Sequence, residues 1–238
     1  MSRPAVVIYC DFDGTVTQGD VTDVLLSELA DASWRLIEAE WEQGLIGSRE
    51  CLARQIPLIR GGWNAIEACL ARITLDLSFP PFVAWCHAQG VPVRIVSDGL
   101  DRVIEVLLAR AGVRVDAVYA NHLVESASGE LSLMFPYPSR QSACSAGLCK
   151  CDRLAQTTDA PLRIVIGDGR SDWCWAARAD RVFAKSQLLA YCLTQGVPCT
   201  TFASFREIQR ELVLMLDRRA LPRLLRFAGR ATRVAANA

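Results

Sequence analysis

Two aspartates one residue apart, Asp11 and Asp13, sit in the run Asp11-Phe12-Asp13-Gly14-Thr15. Such a pair can divide the work of ester cleavage: one carboxylate attacks phosphorus, and the other protonates the leaving oxygen and later activates water. A second pair, Asp168 and Asp172, stands in Gly167-Asp168-Gly169-Arg170-Ser171-Asp172. Carboxylates four apart with glycines that permit close backbone approach suit a hard, oxygen-seeking cation such as Mg²⁺. Ser97-Asp98-Gly99 offers a hydroxyl and backbone N–H groups to phosphate oxygens. Lys150, 18 positions before Asp168, is one of only two lysines among 26 basic residues, the other being Lys185. In a chain that otherwise uses arginine, it supplies a compact point charge.

These groups need one another. At an effective dielectric of about 20, each like-charge pair about 4 Å apart costs roughly 4 kcal/mol, so a phosphate dianion facing Asp11 and Asp168 needs a divalent cation and a lysine to offset the repulsion. With that offset, Asp11 can attack in line while Mg²⁺, Lys150 and Ser97 stabilise the equatorial oxygens.

The elements that must position them are legible as short apolar, β-branched runs at residues 6–10, 93–96, 115–120, 163–166 and 181–184, with helical stretches between. Each reads as a buried strand of a parallel sheet, which gives an α/β, doubly wound fold with the chemistry at strand carboxyl ends. Residues 16–77 read differently: helical periodicity over 21–30, 33–43 and 48–59, punctuated by glycines, predicts a helical insertion lying over those strand ends as a lid. The expected division is a core of residues 1–15 and 78–216, a helical cap of 16–77 and a basic tail of 217–238. Residues 125–133, with Ser128-Gly129, read as a small hairpin at the sheet edge.

Composition narrows the partners. With 26 Lys+Arg against 26 Asp+Glu the formal net charge is zero, so no overall field draws nucleic acid or an anionic membrane, and a small-molecule phosphate ester is favoured. The apolar run before Asp11 is too short for a membrane span or a signal-peptide core, and no transmembrane segment is expected. Ten scattered cysteines in a chain of 238 residues suit a reducing cytoplasm and free thiols. Assembly as a homodimer is left open. The tail carries six arginines among leucines and is read as a solvated terminal helix broken by Pro222.

The order of D-F-D-G-T, then S-D-G, then Lys150, then G-D-G-R-S-D resembles the haloacid-dehalogenase-like superfamily, in the branch whose helical cap lies between the first and second motifs. The resemblance spans residues 5 to 210. It implies Asp11 as nucleophile, Asp13 as general acid/base, and Ser97 and Lys150 as phosphate ligands. It makes Asp168 a Mg²⁺ ligand supported by Asp172, with the Asp13 carbonyl also on the metal. Within that branch, Cys144 to Cys151, Asn121-His122, Asp20, Arg54 and the segment from Phe183 to Cys192 are most similar to the methionine-salvage enol-phosphate phosphatases. Phosphoserine phosphatases share Asn121-His122-Leu123-Val124 but carry Glu near Asp20, Arg where Gln55 aligns and Asn at Ser171. The stretch from Gly167 to Cys174 is similar to phosphocholine and phosphoethanolamine phosphatases. A cap would contact the part of the substrate beyond the phosphate, and Asp20, Asp23, Arg54, Gln55 and His122 are the candidates for that role.

Cys144, Cys149 and Cys151 invite a zinc reading, but structural zinc needs four ligands and the local sequence offers three thiols, so they are read as free thiols packed beside the lysine. His87, within an apolar helix, is read as structural. A competing class is a catalytically idle binding protein on the same fold. Every catalytic position is filled, which argues against it.

Overall fold

The computed structural model describes residues 6–140, 144–156 and 162–217. Seven strands form one sheet in the order β4-β3-β2-β1-β5-β6-β7. They are β1 (Val7–Cys10), β2 (Val93–Leu100), β3 (Ala117–Glu125), β4 (Leu131–Met134), β5 (Arg163–Gly167), β6 (Arg181–Ala184) and β7 (Thr200–Thr201). All neighbours pair in parallel except β3 and β4, which form the edge hairpin. Gly129, at φ +83, takes the left-handed conformation in the turn of that hairpin.

The central strands β1 and β5 are largely apolar and buried because both faces of the sheet are covered there. In β1, Ile8 and Cys10 enter one core and Val7 and Tyr9 the other. The first core is closed by α5 (Phe79–Ala88), α6 (Asp101–Arg110) and a helix over residues 205–217. The second is closed by α7 (Lys150–Ala155) and α8 (Trp173–Ala176), with Trp175 fully buried, while α9 (Ser186–Gln195) packs with α8 on a third cluster around Leu188 and Cys192.

Between β1 and α5 lie α1 (Val21–Leu29), α2 (Trp34–Glu42), α3 (Ser48–Gln55) and α4 (Gly62–Leu70). The helix expected over 48–59 stops at Gln55 and tightens into a 3-10 turn, Ile56–Leu58, where Pro57 lacks the N–H that an α-helix needs. The insertion leaves and rejoins the sheet at adjacent points, for Thr17 pairs with Leu75 and Asp76 donates its N–H to the Val16 carbonyl at 2.8 Å. Leu25, Leu26 and Ile66 extend the first core into it.

Among the described residues no helix is long and apolar enough to cross a membrane, and all ten cysteines are free. The arginines of the tail lie outside the described residues.

Candidate active site

Register brings the acidic motifs together. Cys10 is level with Ile95 on β2 and with Ile166 on β5, so the chain leaves β1 at Asp11 while Ser97 and Asp168 follow one or two residues later on its two neighbours. Between Val96 and Leu100 the pairing of β2 with β3 slips, four residues spanning what Tyr119 to Asn121 spans on the partner. That bulge turns Ser97 toward β1, and the Gly99 N–H closes on Ser97 Oγ at 2.9 Å.

Lys150 begins α7, and its ammonium is buried between two carboxylates, 2.7 Å from Asp11 Oδ2 and 2.8 Å from Asp172 Oδ1. Burial works against its charge, but Asp11 and Asp172 outweigh it and hold the lysine protonated. Asp172 Oδ2 accepts the N–H groups of Asp168 at 3.0 Å and Gly169 at 3.2 Å, which fixes the loop. Asp168 accepts the Thr15 hydroxyl at 2.6 Å. Gly14, at φ +68, lies so close that a Cβ there would overlap the Asp168 carboxylate. Oxygens of Asp11, Asp168 and Asp172 fall within 4.8 Å of one another, an all-oxygen donor set that fits a hard divalent cation.

Asp13 faces the other way. Its Oδ1 accepts the Val21 N–H at the start of α1 at 3.0 Å, and Ser97 Oγ donates to its Oδ2 at 3.4 Å. Burial, reinforced by nearby Asp20, pushes its carboxyl well above the usual range. Burial also raises Asp11, with Asp172 adding to it and Lys150 opposing, and it raises Asp168 against the pull of the Thr15 hydroxyl. Nucleophile candidate and proton-donor candidate thus share a strand exit but meet different partners: a lysine for Asp11, and a serine and a helix N-terminus for Asp13.

The Asp98 side chain holds the surrounding loops. It accepts from Ser48 of α3, from Asn121 Nδ2 at 3.0 Å and from the Leu148 N–H at 2.8 Å. Arg170 reaches from the acidic loop to the insertion, donating to the carbonyls of Trp41 and Glu42 at 3.3 and 3.2 Å and lying over the Trp41 ring.

Of the candidates in the insertion, Asp20 caps α1 beside Asp13. Surrounding chain raises its carboxyl, with Asp168 and Glu38 contributing. Asp23 follows on α1, and desolvation together with Asp20, Glu38 and Glu42 pushes it to about 7. Gln55 is buried one step away, donating to Glu38 at 2.8 Å. Arg54 is not brought to this group. Arg54 precedes Gln55 and sits about 100° from it around the helix, and its guanidinium is held by Glu40 of α2 at 2.6 Å on a more exposed side. His122 likewise points away, since alternation along β3 turns Asn121 inward and sends His122 outward to Asp101 at 2.6 Å.

Several residues here were missed by sequence reasoning. Thr15 lies in the first motif itself. Lys185, whose ammonium meets the Thr15 carbonyl at 3.3 Å, carries the same signal of lysine scarcity as Lys150. Glu38 and Glu42 had no local signal, because a charge on an amphipathic helix is ordinary.

The family model for haloacid dehalogenase-like hydrolases matches residues 8–177. The chain belongs to that family. Among its relatives, the 2-hydroxy-3-keto-5-methylthiopentenyl-1-phosphate phosphatase of Brevibacillus brevis is 28% identical over 212 residues, covering 87% of this chain and 95% of that one. The protein of the same name from Geobacillus kaustophilus is 29% identical over 210 residues, covering 85% and 93%. A solved substrate-bound phosphoserine phosphatase complex shares the fold with a TM-score of 0.65 and 18% identity, covering 86% of this chain and 97% of that chain.

Proposed function

We propose that this phosphatase of the haloacid dehalogenase-like family is a Mg²⁺-dependent phosphomonoesterase that hydrolyses a small-molecule phosphate ester through a phospho-aspartate on Asp11. The observation that carries the reading is the convergence at the end of β1: Asp11 against the buried ammonium of Lys150, with Asp13 two residues on against Ser97.

In this reading an Asp11 carboxylate oxygen attacks phosphorus in line, the ester P–O bond breaks, and Asp13 gives its proton to the departing oxygen. The raised affinity of partly buried Asp13 for a proton suits it to that step. Asp13 then takes a proton from water as the water oxygen attacks the phospho-aspartate, releasing orthophosphate and restoring Asp11. Lys150 and Ser97, with the backbone N–H groups at Asp98 and Gly99, hold the phosphoryl oxygens. Mg²⁺ held by Asp11, Asp168 and Asp172 and the Asp13 carbonyl would supply positive charge to the transferring group. Residues 16–77 serve as the cap and the rest of the described chain as the core. Free thiols accord with a reducing cytoplasm.

For the substrate, relatives of nearly full length favour a methionine-salvage enol phosphate. A second reading has one observation in its favour: Asp20 and Asp23 stand at the start of α1, with Glu38 and Glu42 of α2 near enough to raise the Asp23 carboxyl. That charge suits an ester whose alcohol half is cationic, such as phosphoethanolamine or phosphocholine. Phosphate release from an aryl phosphate with and without Mg²⁺, alongside Asp11→Asn, tests the reaction. Activity that requires Mg²⁺ and vanishes in the variant is expected, and equal activity in the variant would sink the mechanism. The same assay over the enol phosphate, phosphoserine, phosphoethanolamine and phosphocholine ranks the substrates.

A further inference from the structure

Lysine occurs twice in this chain, and the two lysines take different partners. Lys150 meets two carboxylates, whereas the Lys185 ammonium donates to a backbone carbonyl, that of Thr15, at 3.3 Å and 170 positions apart in sequence. The ring of buried Phe202 lies beside the same ammonium, its centroid 5.4 Å away.

The backbone around Lys185 closes on the acidic loop as well. Its N–H donates to the Gly167 carbonyl at 3.2 Å, and the N–H of Leu188, in the first turn of α9, donates to the Asp168 carbonyl at 2.7 Å. Between them Ser186 has φ 48, the one left-handed non-glycine among the described residues. Such strain persists only where the surroundings over-determine it, and it gathers at functional sites. The turn from β6 into α9 thus holds three carbonyls, those of Thr15, Gly167 and Asp168, from the two loops that carry the acids.

Thr15 passes this hold on to Asp168. It is fully buried, with its carbonyl on Lys185 and its hydroxyl donating to Asp168 Oδ1 at 2.6 Å. Gly14 backs the other carboxylate oxygen so closely that a Cβ there would overlap it. Both oxygens of Asp168 are therefore set in place, one of them through a threonine anchored by the lysine.

We propose that Lys185 is a positioning residue for Asp168: by fixing the Thr15 carbonyl it aims the Thr15 hydroxyl at Oδ1 and so presents the carboxylate to the divalent cation. The inference rests on the reading of Asp168 as a ligand of that cation. A nearby positive charge alone would have the opposite effect. It repels a cation, so removing a lysine that acted only as a charge would tighten Mg²⁺ binding, whereas removing one that orients a ligand weakens it.

Mg²⁺ binding by the full chain, measured by calorimetric titration without any ester, reads that sign. Lys185→Met is expected to weaken binding roughly tenfold, as loss of a residue that orients a metal ligand does. Thr15→Val should do the same, and the double variant should bind no more weakly than Thr15→Val alone, because both act along one chain of contacts. Lys185→Arg keeps a cationic donor for the Thr15 carbonyl and should recover most of the affinity. Melting in chelator checks that each variant folds. If Lys185→Met does not, Lys185→Gln, uncharged and shorter, takes its place with the same expected loss. Unchanged or tighter binding in the Lys185 variant, or losses that add in the double variant, overturn the inference alone. Absence of binding by the unaltered chain would overturn the metal reading of the acidic cleft, and the inference with it.

Discussion

The ammonium of Lys150 lies 2.7 Å from the Asp11 carboxylate, and both side chains are almost wholly buried, 1% and 6% exposed. A buried ion pair contributes little against a well-packed apolar pair, but removal of one partner leaves an uncompensated buried charge. Lys150→Met therefore leaves Asp11 and Asp172 facing each other with no cation between them. The expected cost is roughly 3–5 kcal/mol of stability, read from urea denaturation of the metal-free protein. Turnover should fall with it, and Lys150→Arg should not restore the wild-type rate because a planar fork does not replace a point charge in that space.

Gly14 makes a separate prediction. Its left-handed backbone and the overlap of any Cβ with Asp168 mean that Gly14→Ala must shift the carboxylate. The strain costs about 1–3 kcal/mol, and the Mg²⁺ concentration needed for half-maximal activity should rise by an order of magnitude or more. An unchanged Mg²⁺ requirement would remove Asp168 from the metal site.

Arg170 ties the acidic loop to α2 through two carbonyls and a ring. It is exposed, so Arg170→Ala is expected to change stability by less than about 1 kcal/mol. If the insertion works as a lid, kcat/KM should still drop several-fold, and hydrogen exchange over residues 41–47 should speed up.

The chemistry was legible in the sequence because it depends on strand ends. Asp11, Ser97 and Asp168 each follow an apolar run, and parallel register alone brings such positions level. Faces were harder to read. Arg54 and Gln55 are neighbours in sequence, yet only Gln55 is turned to the interior of the insertion, and the choice is made by which side of α3 packs under Trp34. Asn121 and His122 differ in the same way on β3.

The acids of the site give a pH signature. Asp11, Asp13 and Asp168 have folded-state pKa values above their unfolded values, so the folded protein binds more protons than the unfolded chain. Metal-free protein should therefore gain thermal stability as pH falls from neutral toward about 4, the unfolded value of the carboxyls, and lose it as pH rises through the folded values. Saturating Mg²⁺ selects the ionised acids and should flatten that slope. Melting curves from pH 5 to 8 with chelator and with Mg²⁺ (on the order of the range set by those pKa values) check the sign.

The most direct measurement concerns Asp11 itself. Enzyme quenched during turnover and reduced with borohydride converts a phosphorylated aspartate to homoserine, which peptide mass spectrometry locates. The expected result is homoserine at position 11 alone, present only when ester and Mg²⁺ were both supplied and absent from Asp11→Asn. Homoserine at another position, or full turnover by Asp11→Asn, would contradict the account.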